Sequence, residues 1–202
     1  MMGLRVWLDK ALKSTAFHEA GHTVAAALLQ LPLLEGGMHI DMEGSGVTHY
    51  CHRLPGSLGQ SNADQIEREK TVIALYAGRI AQSRFCPGFD DPDAWKDDWA
   101  TADKLLREMG PACTTLTRHA LYERAKRILF ENWHAVESLA NALWAKPQVQ
   151  MPRCEYESGW SRATKKQEKQ LTGAEAKALL ADFNIVCIVV SEKNASRPDA
   201  DT

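Results

Sequence analysis

The sequence predicts a mainly α domain of the α+β class, with a small antiparallel β-sheet. Three observations carry that prediction. Over most of the chain, apolar residues recur three and four positions apart, the pattern of helices that bury one face. From Met38 to Glu43 apolar and polar residues alternate instead, the pattern of a half-buried strand. Capping and stopping residues bracket the helical segments.

The first helix is expected to begin between Asp9 and Thr15 and to run to about Gln30, with Phe17, Gly21, Val24 and Leu28 on its buried face and Pro32 stopping it. Gly37 to His52 reads as a hairpin. Met38, Ile40 and Met42 point one way, Gly44-Ser45-Gly46 makes the turn, and Val47 to Cys51 returns. Asn62 and Gln65 resemble a capping pair opening a second helix, which runs to about Phe85 and buries Ile66, Ile73, Tyr76, Ala77 and Ile80. Cys86 to Lys96 reads as a loop, with Asp90, Asp91 and Asp93 solvated. A third helix is expected from Asp97 or Asp98 to Gly110-Pro111, and one long fourth helix from about Leu116 to Ala145, ended by Lys146-Pro147. Val149 to Lys169 is polar and aperiodic, a surface excursion. Thr172 and Glu175 form a capping box before a short last helix ending near Asp182. The expected organisation is one domain over 1–190, with a surface insertion at 146–170 and a disordered polar tail at 191–202.

The chain has 202 residues, enough to bury a core without disulfide staples. Its 24 Lys plus Arg and 26 Asp plus Glu leave a formal net charge of -2, which argues against a nucleic-acid binder. The longest apolar stretch, Val24 to Leu34, is broken by Gln30 and Pro32 and falls short of the roughly 20 residues of a membrane span. No signal peptide, membrane anchor or phosphate-binding G-x-x-x-x-G-K-[ST] loop is read from the sequence. The five cysteines are scattered without C-x-x-C spacing, which fits a reduced, cytoplasmic setting.

Chemistry concentrates in His18-Glu19-Ala20-Gly21-His22, an H-E-x-x-H string within the first predicted helix. Residues four apart lie nearly above one another on a helix, so both imidazoles can aim a ring nitrogen at one point. Zinc accepts such ligands at about 2.0–2.1 Å in a tetrahedral array. Glu19 is rotated off the ligand line yet close enough to reach a water at the metal, so it is the candidate general base and not a ligand. The plain alternative is two partly buried histidines on an amphipathic helix. Gly21 leaves room beside His22 for another backbone. Two histidines leave a zinc site incomplete. Asp97 and Asp98 stand out as sources of the third ligand, with ordinary helix capping as the alternative for both.

These residues resemble the zinc peptidase domain of the FtsH-type AAA proteases. The His18–His22 string matches that family's HEAGH helix. Ala77-Gly78-Arg79-Ile80-Ala81-Gln82 is similar to its G-G-R-x-A-E segment, with Ala77 and Gln82 as departures. Asp97-Asp98-Trp99-Ala100-Thr101-Ala102-Asp103 is similar to its N-D-hydrophobic-x-x-A-T segment, and Leu171 to Glu175 to its L-T-G-E-E helix start. The likeness runs in order from about Leu8 to Phe183. It implies Zn2+ held by His18, His22 and Asp98, with Glu19 as the catalytic base. The implied activity is a zinc-dependent endopeptidase acting on peptides or unfolded proteins. That activity is ATP-independent in itself, because the family's membrane helices and ATPase ring have no counterpart here. The resemblance leaves room for a separate ATPase partner and for a homo-oligomer. It also suggests that the return strand Val47 to Cys51 pairs substrate as an added strand, a plain sheet edge being the alternative. His49 and His52 are weaker candidates for substrate contact. Cys51 reads as a packed thiol and the tryptophans as core or interface residues. The competing function is a catalytically weak or inactive peptidase-fold module that binds or regulates another protein. A third is zinc in a purely structural role.

Overall fold

The structure, a computed structural model, describes residues 2–51, 56–88, 92–110, 115–157 and 160–192. The chain runs α1 (Met2–Leu28), β1 (Leu33–Asp41), β2 (Gly46–Tyr50), α2 (Asn62–Phe85), α3 (Pro92–Glu108), α4 (Thr115–Glu131), α5 (Trp133–Ala145), β3 (Val149–Glu157), β4 (Trp160–Leu171), α6 (Gly173–Ala181) and β5 (Val189–Val190). It is mainly helical with a small sheet, as the periodicities predict.

Helix α1 begins earlier than expected, at Met2, and is the centre of the molecule. Every residue from Ser14 to Ala27 is buried, because the helix packs against α2 and α5 on some faces and β1 and β2 on others. A helix covered on all sides must be small or apolar all round, and this segment is rich in alanine. Gly21 is where α2 comes closest: a Cβ there would lie 2.6 Å from the Ala77 carbonyl oxygen and 2.7 Å from the Ala81 Cβ. The backbone approach that Gly21 suggested is therefore present. Gln30, at a φ of 61°, turns the chain out of the helix before Pro32.

The expected hairpin is β1–β2, with Met38 and Ile40 buried. Asp41 ties its turn by accepting from the backbone N–H of Glu43 (3.0 Å) and Ser45 (2.8 Å). The sheet order is β2-β1-β4-β3, with β5 parallel to β1 at Leu33 and Leu34. Segment 149–169 therefore differs from the aperiodic excursion expected. It is an antiparallel hairpin, and the last residues of β4 pair with β1 from Met38↔Leu171 to Asp41↔Glu168. Alternation failed as a signal because the segment is mostly polar in sequence, and the pairing of its backbone defines the strands.

Helix α2 is capped one residue earlier than expected, by Ser61 with Asp64 instead of Asn62 with Gln65. The Ser61 hydroxyl accepts from the Asp64 N–H, and the Asp64 carboxylate accepts from the Ser61 N–H (3.1 Å). Ile66, expected inside, is 53% exposed. The burial of α2 starts instead at Arg68, which is 1% exposed. Its Nη2 donates to the carbonyls of Leu58 (2.9 Å) and Gly59 (2.7 Å), and Nε lies 3.4 Å from Glu108. The guanidinium thereby pins the loop before α2 onto α3.

Helix α3 starts at Pro92, well before Asp97 or Asp98. Proline suits a first helical turn, where its missing N–H would have no partner anyway. Asp98 consequently lies inside the helix, which removes the capping explanation for it. The single long helix expected over 116–145 is two helices, broken at Asn132 (φ -116°, ψ 27°). The Asn132 side-chain amide donates to the Ile128 carbonyl at 2.8 Å. The Thr172–Glu175 capping box of α6 is present as expected. Within 191–202, residues from 193 onward lie outside the described residues, as do His52, Asp90 and Asp91. None of the described helices is long and apolar enough to cross a membrane.

Candidate metal centre

His18 and His22, each 4% exposed, stand one turn apart on α1 with their Nε2 atoms 2.9 Å apart. Asp98, 80 and 76 positions further along the chain, reaches in from α3. Its Oδ2 lies 3.1 Å from both nitrogens. Among the described residues this trio is the group of His, Cys, Asp and Glu side chains able to hold a metal ion. Asp97, the other acid the sequence offered, lines the cleft beside the trio without joining it.

The opposite edges of the rings establish their tautomers. His22 Nδ1 lies 2.7 Å from the Ala74 carbonyl, which can only accept, so Nδ1 carries the proton. His18 Nδ1 lies 3.3 Å from Gln82 Oε1, and the Gln82 amide nitrogen donates to the Ser14 hydroxyl at 3.3 Å. That orientation presents the Gln82 oxygen to His18, so His18 Nδ1 also donates. Both Nε2 lone pairs then face each other and a carboxylate oxygen. Three electron-rich atoms at that spacing repel unless a positive charge lies among them.

The electrostatics agree. Burial pulls His22 down, but the Asp98 carboxylate outweighs it, and the imidazole is pushed up to about 9. Burial would raise Asp98, yet the facing imidazoles hold it well below the usual carboxylate range. The cluster attracts a cation, whether a proton or a metal. Donors in a tetrahedral zinc shell with bonds of about 2.0–2.1 Å are about 3.3 Å apart. The trio, at 2.9 to 3.1 Å, lies within a few tenths of an ångström of that spacing. Two imidazole nitrogens and one carboxylate also match the chemistry of a zinc donor set with a further position open. The residues present fit such an ion.

Space for the cluster comes from Gly78 on α2. A Cβ there would stand 2.4 Å from His22 Nε2 and 2.6 Å from His18 Nε2. Next to Gly78, Arg79 stacks its guanidinium 4.0 Å from the centroid of Trp95 and 5.2 Å from that of Trp99, and Trp99 also meets Tyr76 at 5.2 Å. These contacts dock α3 on α2 one residue from Asp98.

Glu19 is 3% exposed and reaches Thr48 on β2, outside the donor trio. Its Oε2 accepts the Thr48 hydroxyl at 2.7 Å, and Gly46 leaves it room, since a Cβ there would lie 2.5 Å from Oε1. Burial pushes this carboxyl up, against a weaker pull down from His18, His22 and the Thr48 hydroxyl. A carboxylate with raised proton affinity beside a cation site is suited to taking up a proton. The trio and Glu19 open into a cleft of about 550 Å³ whose walls include Val47, Thr48 and Tyr50 of β2. Burial, with Asp98 and Glu19 nearby, pushes the Tyr50 phenol up.

Other sequence candidates go elsewhere. His49 turns to His39, with Nε2 and Nδ1 3.3 Å apart, and does not line the cleft. Cys51 is half-buried, and Trp133 stacks with Phe17. Sequence reasoning missed the roles of Thr48, Ala74, Ser14 and Gln82, since each acts across tens of residues on a partner no local pattern indicates. Comparison of the chain with protein-family models and with curated proteins finds no match. Fold and site together define an α+β domain built around a buried His, His, Asp donor trio with an adjacent glutamate.

Proposed function

We propose that the protein is a zinc-dependent endopeptidase of peptides or unfolded chains, similar in its site to the peptidase domain of FtsH-type proteases. The observation that carries the reading is the convergence of two lone-pair-bearing imidazole nitrogens and the Asp98 carboxylate, with Glu19 set apart from them. His18, His22 and Asp98 would hold the zinc. When bound, zinc supplies Lewis acidity, which lowers the proton affinity of water and polarises a carbonyl.

The chain's own residues do the rest. Glu19 takes the proton of the water that attacks the scissile carbonyl and returns it to the leaving amine. Such general acid–base action is worth about 10²–10⁴ in rate. The Thr48 hydroxyl holds the Glu19 carboxylate in one orientation. Ala74 and Gln82 hold the imidazole rings. β2 pairs only with β1 among the described residues, which leaves its other edge for an extended substrate.

The test compares zinc content and casein or peptide cleavage for the wild type and Glu19→Gln. Stoichiometric zinc in both, with cleavage abolished in the variant, is the expected result. A variant as active as the wild type removes Glu19 from the mechanism. Zinc without any wild-type cleavage replaces the peptidase with a binding or structural module.

A further inference from the structure

Away from the cleft, a group of cations sits on a row of aromatic rings where α1, α2, α4 and α5 meet. Phe85, the last residue of α2, stacks on Phe17 of α1 at 3.8 Å, and Phe17 meets Trp133, the first residue of α5, at 5.7 Å. Lys10 and Lys13 of α1 each place Nζ 5.9 Å from the Phe85 centroid. At the other end of the row the Arg84 guanidinium lies 4.0 Å from the centroid of Phe130 and 4.2 Å from that of Trp133. Arg127, one turn before Phe130 on α4, is exposed. None of these four cations forms an ion pair with a carboxylate of the described residues. Arg84 Nη1 is buried without a hydrogen-bond partner. The rings have thus taken water from part of a permanent charge without supplying an anion. Such a group gives up less hydration to an incoming anion and attracts it more strongly than a fully solvated one. Asp9 beside Lys10 and Glu131 beside Phe130 set two negative charges against the four cations, an excess of two.

The surroundings select among anionic partners. Each ring already carries a partner on a face: Phe17 and the lysines on Phe85, Phe17 and Arg84 on Trp133, Arg84 on Phe130. The bases of a nucleic acid therefore find no row of open rings to stack on. The patch is built from helices alone, so an extended peptide has no strand edge to pair with. A layer of anionic headgroups needs neither. It takes cations on flexible stems and an apolar side chain that dips beneath them, and Phe130, 50% exposed among these cations, is such a side chain. We infer that this face docks the protein on an anionic lipid surface, with Lys10, Lys13, Arg84 and Arg127 among the headgroups and Phe130 at the acyl boundary. The contact is peripheral and needs no spanning helix. None of these residues lines the metal cleft, so docking consumes none of its groups. Each Lys or Arg near an anionic leaflet strengthens adsorption about fivefold, so an excess of two amounts to about thirtyfold.

The test measures co-sedimentation of the full chain with vesicles of phosphatidylcholine alone and with vesicles of equal parts phosphatidylcholine and phosphatidylserine. The expected result is binding about thirtyfold tighter to the anionic vesicles, a preference that shrinks at high salt because exposed charges are screened. In Lys10→Gln/Lys13→Gln the preference falls toward one. Lys104→Gln/Arg107→Gln removes the same charge from the exposed side of α3 and keeps the preference. Phe130→Ala weakens binding to the anionic vesicles at unchanged charge. Circular dichroism checks that each variant is folded. Equal binding of the wild type to both vesicles overturns the inference whatever the variants do. A loss in Lys104→Gln/Arg107→Gln as large as in the Lys10 and Lys13 pair also overturns it, since net charge and not this face then decides. Binding of a labelled glutamate-rich peptide that requires Lys10 and Lys13, with no binding to anionic vesicles, overturns the lipid surface in favour of an acidic protein partner. None of these readings depends on cleavage, so they stand apart from the peptidase reading.

Discussion

Replacing Gly78 by alanine tests the metal centre without replacing a ligand. The new Cβ would stand 2.4 Å from His22 Nε2 and 2.6 Å from both His18 Nε2 and His22 Cε1. Ordinary contact needs about 3.4 Å or more, so the imidazole tips must retreat by nearly 1 Å. Metal–ligand distances tolerate only about 0.2 Å. The rings have little freedom to compensate, since Ala74 and Gln82 hold their far edges. Disturbing a ligand's support alone costs about 10–100-fold in metal affinity. A direct collision with two ligands should reach the upper end, about 100-fold, or roughly 2.7 kcal/mol. Helix propensity works in the other direction, since alanine inside a helix is favoured over glycine by about 0.8–1.0 kcal/mol. The collision persists without metal, where overpacking of about 1–3 kcal/mol outweighs that gain, so the apoprotein is expected to fold but to melt several degrees below the wild type. Competition with a chromophoric chelator gives the zinc affinity, and circular dichroism of both metal-free proteins gives the melting temperatures. Wild-type zinc affinity in Gly78→Ala would refute the packing argument and the ligand assignment behind it.

Three other outcomes follow from the same contacts. Thr48→Val removes the hydroxyl from Glu19 but keeps the side chain's shape; kcat/KM should fall about tenfold, a fraction of the general-base contribution, at unchanged zinc content, and loss of zinc would show that Thr48 supports the fold instead. Gln82→Glu places a carboxylate behind His18 and should raise zinc affinity by about tenfold, because an anionic partner makes the ring a stronger ligand; chelator competition showing no change would remove Gln82 from the metal's support. Arg68→Met strips the donors from the Leu58 and Gly59 carbonyls and the partner from Glu108; a loss of about 2–4 kcal/mol is expected, a melting point lower by roughly 5–15 °C, and an unchanged melt would mean that the loop finds other donors.

Local chemistry was legible in the sequence. The four-residue spacing of His18 and His22 reads directly as one helix face, because helical geometry repeats every 3.6 residues whatever surrounds it. The Thr172–Glu175 box and the alternation from Met38 to Ile40 are equally local and are present in the fold. Misreadings came where two local solutions compete or where pairing leaves no apolar trace. Ser61 and Asn62 are both good caps, and only the reach of the Asp64 carboxylate decides between them. Asn132 interrupts an otherwise continuous helical pattern. β3 and β4 are mostly polar in sequence and show no apolar alternation, although their backbones pair from Val149↔Glu168 to Glu157↔Trp160.

By itself the sequence determined the α+β class, the two imidazoles on one helical face and a glutamate beside them. Residue chemistry alone left Asp97 and Asp98 open, and the family resemblance pointed to Asp98; the tertiary structure is what brings Asp98 to those imidazoles, makes the space at Gly78, and orients the groups through Thr48, Ala74 and Gln82. Asp98 lies 80 and 76 residues from its two partners. Contacts over such separations depend on how α2 packs on the buried Ser14–Ala27 stretch of α1 and how α3 packs on α2. That packing is set by side-chain volumes summed over several helices, and no short window of residues contains it.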